Sequence, residues 1–142
     1  MKIKKILLAE DNRNDVELTL MALSEYNLVN DMVIVSDGIE AMDYLRLQGK
    51  FSNRAPGNPA VIMLDLKMPR MDGLEVLNEV KNDPDLKIIP VVMITSSREE
   101  QDLVKSYNLG VNAYVVKPVE FAKFVDAIKK VGAFWALLNE TP

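Results

Sequence analysis

Five short apolar runs, at 6–9, 32–35, 61–64, 91–94 and 114–116, constrain this chain more than any other feature of it. They are rich in Val, Ile and Leu and carry no alternating polar residues. A strand with one wet face alternates; a strand covered on both faces does not. Between the runs lie amphipathic stretches near 15–26, 38–48, 74–82, 98–109 and 119–138. Strand and helix thus alternate five times, which predicts an α/β domain: a doubly wound, single-domain (βα)5 parallel sheet. The 142 residues are about one domain's worth. A chain of that size buries enough surface to fold without disulfides or a structural metal.

Helix starts agree with this division. Asn14-x-x-Glu17, Asp37-x-x-Glu40, Asp72-x-x-Glu75 and Ser97-x-x-Glu100 each place a capping side chain three residues before a Glu. One match of this kind is weak, but four in the right places are hard to obtain by chance. Gly49 and Gly110 read as helix stops, and Pro118 sets the start of the fifth helix. That helix has its apolar stripe at Phe121, Phe124, Val125, Ile128, Val131 and Trp135. The Gly/Pro/Asn-rich stretch 49–59 reads as an extended loop. One domain is expected over 1–142, with its core at about 4–131 and a helical extension at 132–142.

Composition removes whole classes of chemistry. The chain has no cysteine, hence no thiol nucleophile, no thiolate zinc site and no Fe–S cluster. It has no histidine either, hence no Ser-His-Asp catalysis and no imidazole ligand. A net charge of −4 suits nucleic acid poorly. No apolar run approaches the roughly 18 residues of a membrane span, and no export signal is evident. The cytoplasm is the expected location.

In an open parallel sheet, function gathers at the carboxyl ends of the strands. There the sequence supplies Glu10 and Asp11 after the first run and Ser36-Asp37 after the second. Asp65 closes the third, Thr95-Ser96 follow the fourth, and Lys117-Pro118 end the fifth. With strand order 2-1-3-4-5, Glu10, Asp11 and Asp65 become neighbours. Three clustered carboxylates repel unless a cation joins them or some are protonated. All-oxygen ligation at a partly hydrated site suits Mg²⁺. Lys117 faces it with a second positive charge, and a phosphoryl group fits between the two. Taken singly, each residue has a plainer explanation: an acid after a strand is often a helix cap, and Asp37 reads mainly as one. A lone Thr95 is a satisfied loop hydroxyl, and a lone Lys117 a solvated lysine. Asp65 is harder to dismiss, because it ends an apolar run where an unpaired carboxylate is costly.

Together these residues resemble the receiver domain of two-component response regulators, the CheY-like family. The resemblance rests on Glu10-Asp11, on Asp65-Leu66-Lys67-Met68-Pro69-x-x-Asp72-Gly73, on Thr95-Ser96, and on Gly110-x-x-Ala113-Tyr114-x-x-Lys117-Pro118. It runs from about Lys4 to Val131. The stretches LRLQGKFSNRAPGNPAVIMLDL and NDPDLKIIPVVMITSS, with Phe134-Trp135, look like the stand-alone subfamily that includes regulators of cyanobacterial phytochromes. Some of that subfamily have lost the lysine-proline pair; here Lys117-Pro118 is intact.

The resemblance implies a flavodoxin/CheY-like fold and a mechanism. Asp65 takes a phosphoryl group from a sensor histidine kinase or phosphotransfer protein, with a phytochrome-type kinase the partner that the subfamily resemblance implies. Glu10, Asp11, Asp65 and the Lys67 backbone carbonyl hold Mg²⁺. Lys117 and Thr95 contact the phosphoryl oxygens, and Tyr114 is the switch residue. The protein is then no enzyme in its own right, but a phosphoacceptor that promotes its own phosphorylation and dephosphorylation. Lys67 stands where a small polar residue is commoner; its ammonium either lies over the site or points to solvent. About eleven residues follow Val131, so output is expected through protein contacts, with no separate output domain. The apolar Phe134, Trp135, Leu137 and Leu138 point to a homodimer through the fourth helix, fifth strand and fifth helix. Three rivals remain. A Mg-dependent phosphatase of the aspartyl-phosphate type wants a second Asp where Lys67 stands. A nucleotide or flavin binder wants a Gly-rich loop, which is missing. A module that has the fold but is never phosphorylated would have lost part of the site.

Overall fold

A computed structural model describes residues 5–24, 32–111 and 113–132. The chain runs β1 (Ile6–Ala9), α1 (Arg13–Ser24), β2 (Met32–Val35), α2 (Gly38–Arg46), β3 (Val61–Asp65), α3 (Gly73–Lys81), β4 (Val91–Thr95), α4 (Arg98–Ser106), β5 (Tyr114–Val116) and α5 (Phe121–Lys130). All five strands are parallel, in the order β2-β1-β3-β4-β5. Every apolar run became a strand, and two of them extend one residue further, to take in Asp65 and Thr95.

The period of two in a strand sorts the core into two layers. Leu7, Ala9, Ile62, Leu64, Val91 and Met93 face α2 and α3, where Met42, Leu45, Val76, Leu77 and Val80 meet them. Ile6, Leu8, Val61, Met63, Val92 and Ile94 face the other way, onto Leu23 of α1 and Phe124, Ala127 and Ile128 of α5. Burying each large aliphatic side chain contributes on the order of 1.5–3 kcal/mol relative to exposure. Double-sided covering therefore explains why the central runs lack polar alternation. On α5 the expected stripe holds at Phe124 and Ile128; Phe121, Val125 and Val131 are half-buried, and Trp135 lies outside the described residues, as does all of the expected extension beyond Gly132.

Three of the four caps stand as expected. Asp37, Asp72 and Ser97 accept from the backbone N–H of Glu40, Glu75 and Glu100. Only Asp72 and Glu75 form the reciprocal box. Glu40 and Glu100 reach one residue further back, to the N–H groups of Ser36 and Ser96, both at 2.8 Å. The fourth cap is corrected: α1 starts two residues early, and Asn12 rather than Asn14 accepts from Asp15 N–H. Helix stops also differ. The left-handed positions nearest the ends of α2 and α4 are Leu47 and Asn108, with Gly49 and Gly110 two residues beyond them. Likewise α5 begins at Phe121 with Glu120 at its cap position, not at Pro118.

The loop at 49–59 is better anchored than its composition suggests. A 3-10 turn spans Gly49–Phe51. Arg54 stacks 3.9 Å over the Tyr44 ring and donates from Nε to Tyr44 O. Lys50 pairs with Glu40 at 2.8 Å; with the Ser36 N–H, it holds the Glu40 carboxyl down to about 2.

Gly73 is required by close approach. It opens α3 and donates its N–H to Leu66 O at 2.9 Å, folding the segment after β3 back onto the strand end. A Cβ there would overlap the carbonyl oxygen of Asp65. Gly73→Ala should therefore lower unfolding stability by about 1–3 kcal/mol, the usual cost of overpacking. Urea denaturation measures it; an unchanged midpoint would contradict this packing.

Candidate functional site

The site grows out of the carboxyl ends of β1, β3, β4 and β5. Glu10 still belongs to the sheet, since its N–H donates to Val35 O at 3.0 Å. Its side chain is consequently held inside, and the residue is 2% exposed. Asp65 is the last residue of β3, opposite Ile94 of β4, and is 3% exposed. Asp11 is exposed at the rim. One carboxylate oxygen from each of Glu10, Asp11 and Asp65 lies within 4.8 Å of the other two. The structure thus brings together the three acids that the sequence placed side by side.

Lys117 answers them from the end of β5, where its N–H donates to Thr95 O at 2.9 Å. Its ammonium lies 3.0 Å from Glu10 Oε1, 3.3 Å from Asp65 Oδ2 and 2.9 Å from Asp15 Oδ2. An ammonium has three N–H donors, and here three carboxylates surround it. Burial alone would lower the Lys117 pKa. The hydrogen bonds to Asp15 and Glu10 and the charge of Asp65 outweigh that and hold it above its ordinary value. Asp65 moves in the unusual direction for an acid beside a lysine. Burial, and then Glu10 on its other side, push it up to about 7 against the pull of Lys117.

Thr95 is wholly buried, and its Oγ1 has no hydrogen-bond partner. An unpaired buried hydroxyl costs roughly 1–3 kcal/mol, so this group stands ready for a ligand atom. Tyr114 is not gathered into the acid cluster. It sits at the far end of β5, half-buried, and its hydroxyl donates to Val111 O at 3.1 Å. Burial raises its pKa. Of the two alternatives for Lys67, the structure takes the second: its side chain points to solvent, 80% exposed, with its ammonium 3.3 Å from Glu100 Oε2 on α4.

Sequence reasoning missed Asp15 as the third partner of Lys117. The signal was an acid in the first turn of α1, one helical turn after Asp11. It also took Asp37 chiefly as a cap. Asp37 does cap α2, but its second oxygen accepts from Arg70 Nε at 2.9 Å and lies 2.8 Å from Nη2 in an ion pair.

The donor set fits a hard divalent cation. It is all oxygen, it is anionic, two members are buried and the third opens to water, as suits an ion that keeps part of its hydration shell.

Comparison with known proteins agrees with this geometry. Residues 6–129 match the response regulator receiver domain. Response regulator Rcp1 of Synechocystis sp. (strain ATCC 27184 / PCC 6803 / Kazusa) is 39% identical over 132 residues, 93% of this chain and 88% of that protein. A crystal structure of Rcp1 in its Mn²⁺-bound form aligns with TM-score 0.71 and 40% identity, covering 98% of this chain and 96% of the other. The bacteriophytochrome response regulator AtBRR aligns with TM-score 0.92 and 60% identity, covering 98% and 99%. The phosphorylated cyanobacterial phytochrome response regulator RcpA aligns with TM-score 0.74 and 42% identity, covering 94% of each chain. The phosphatase alternative is not supported by these findings.

The raised pKa of Asp65 has a consequence for stability without metal. Between about 4, where the unfolded carboxyl ionises, and about 7, the folded state keeps a proton that the unfolded state loses. Stability should therefore fall as pH rises through that window. Asp65→Asn should remove this slope and be the more stable protein at pH 8, with little difference near pH 4. Urea melts in chelator at both pH values measure it. Parallel pH profiles of the two proteins would contradict the assignment.

Proposed function

Since the chain belongs to the response regulator receiver family, whose members take phosphoryl groups from histidine kinases, we propose that Asp65 is its phosphoacceptor. An oxygen of the Asp65 carboxylate attacks the phosphorus of a phosphohistidine. The P–N bond breaks, the imidazole nitrogen recovers the electron pair, and Asp65 becomes an acyl phosphate. The observation that carries this reading is the convergence of Glu10, Asp15 and Asp65 on the Lys117 ammonium. A cation already seated beside the nucleophile can turn to a phosphoryl oxygen without crossing the site.

Catalysis of this kind is chiefly positioning and charge neutralisation. Receiver domains bind a divalent metal at an acidic pocket. We take it here to be Mg²⁺, held by Glu10, Asp11, Asp65 and the Lys67 backbone carbonyl, where it would neutralise phosphoryl charge. Lys117 supplies the second positive charge. Thr95 Oγ1, buried and unpartnered, would supply a hydrogen bond to an oxygen of the phosphoryl group. That bond would draw Thr95 toward the site, and Tyr114 would follow into the space it leaves. The result is a two-state element biased by one covalent charge. The same residues would later speed hydrolysis of the acyl phosphate.

The partners follow from the same reading. Likeness to bacterial and cyanobacterial phytochrome regulators favours a phytochrome-type kinase. Among the described residues, Leu103 of α4, Tyr107 at its C-cap and Val116 of β5 are exposed. They favour a homodimer through α4, β5 and α5. The cytoplasm is the compartment of such phosphoryl transfer; no described helix is long and apolar enough to cross a membrane.

Asp65→Asn should abolish labelling by acetyl phosphate or a phosphorylated kinase, and the wild-type label should be lost to base and to hydroxylamine. Lys117→Ala should label slowly, and Asp11→Asn should weaken Mg²⁺ binding. Label retained in Asp65→Asn would place the phosphate elsewhere. In the same preparations, beryllofluoride should shift sedimentation toward the dimer. A monomer at high micromolar concentration with and without it would remove the dimer.

A further inference from the structure

We propose that Asp37 and Arg70 are positioning residues for the chemistry at Asp65, acting through the loop that connects β3 to α3. The proposal rests on the reading of Asp65 given above and goes beyond it, because neither residue touches the acid cluster.

That loop leaves the site at Asp65 and returns to it at Gly73, whose N–H donates to Leu66 O. It carries the Lys67 carbonyl, the backbone ligand expected for the metal. Its apex is a three-residue turn closed by Met71 N–H on Pro69 O at 2.7 Å, with Arg70 at the centre at φ 64. Such tight turns with a left-handed central residue are rare and strained, and a non-glycine residue there carries an added cost. Strained backbone persists where its surroundings over-determine it. Two contacts do so here, and both come from the start of α2. Asp37 Oδ2 accepts from Arg70 Nε and pairs with the guanidinium at Nη2, while its Oδ1 is committed to the Glu40 N–H. Next to it, Gly38 donates its N–H to Met71 O at 3.0 Å, an approach that a Cβ at position 38 would block.

The loop is therefore pinned at its apex to α2 and at its base to the end of β3. Any displacement at Arg70 is delivered to the two residues that follow the nucleophile. Asp37 is largely buried while the Arg70 side chain stays 58% exposed, so the acid is sheltered although its partner faces water. A side chain serving only as a helix cap has no need of Arg70. A pair serving only to stabilise α2 has no need of a partner on the loop that follows Asp65.

The test separates cap, strain and pair. Asp37→Ser keeps a capping oxygen and removes the charge. Arg70→Gln removes the pair and keeps the backbone cost. Arg70→Gly removes both. Metal affinity is measured with Mn²⁺ by calorimetry or water proton relaxation, and the labelling rate with acetyl phosphate. Each variant should bind Mn²⁺ up to roughly 10-fold more weakly, at the low end of the loss seen when a group bonded directly to a ligand is removed. Labelling should slow in parallel at subsaturating metal, while Asp65 remains the labelled residue. The double variant Asp37→Ser/Arg70→Gln should lose no more than either single one. Arg70→Gly should be as stable as wild type yet still weak in Mn²⁺ binding. Wild-type Mn²⁺ affinity in Arg70→Gln and Arg70→Gly would overturn the proposal and leave the reading of Asp65 intact. A wild-type chain that neither binds Mn²⁺ nor labels at Asp65 would overturn both.

Discussion

The Lys117 ammonium, set among Glu10, Asp15 and Asp65, is the interaction on which the rest of the site depends. One cation cannot neutralise four acids, Asp11 included. The cluster answers in the only ways open to it. Asp11 stays in water, and Asp65, buried beside Glu10, holds its proton to about 7. The resting site is thus short of positive charge. On the proposed reading, a divalent cation would remove that deficit, and a phosphoryl group on Asp65 would draw on both cations, so that both needs have one electrostatic origin.

The fold supplies this arrangement at little additional cost. Strands β1 and β3 are neighbours, so their carboxyl ends place Glu10 and Asp65 on one edge whatever the helices do. The aliphatic layers on both faces fix the strands against each other, and that rigidity lets a buried carboxylate be held beside another. Two glycines at helix starts, Gly38 and Gly73, allow the segment after Asp65 to lie against backbone on both sides. Side chains extend the same scheme: Arg70 ties the loop to α2, and Lys67 ties it to Glu100 of α4. Glu100 also accepts from Ser96 N–H, next to Thr95. The loop after Asp65 therefore touches both neighbouring helices through charged pairs.

Much of this was legible in the residues. Apolar runs without alternation gave the strands almost to the residue, because burial on both faces leaves no other pattern. Asp65 stood out because a carboxylate ending such a run must be compensated. What stayed hidden depends on contacts distant in sequence. Asp15 and Lys117 are 102 residues apart, and nothing in the first turn of α1 distinguishes an acid that caps from one that pairs. Asp37 satisfied a local capping pattern so well that its second oxygen went unexamined. Arg70 carries no local mark, since left-handed backbone at a non-glycine residue is set by the surrounding loop. The helix stops were misplaced for a related reason: Leu47 and Asn108 adopt the conformation for which glycine is the usual signal.

The resting cluster, with Asp65 buried beside Glu10, holds a proton that a divalent cation must displace. Calorimetric titration with Mg²⁺ in buffers of differing ionisation enthalpy counts protons released per cation bound. At pH 6, below the raised pKa of Asp65, release should approach roughly one proton and should vanish by about pH 9; Asp65→Asn should release none. Binding without proton release at pH 6 would mean that Asp65 is already ionised, and that Lys117 alone suffices to hold the acids together.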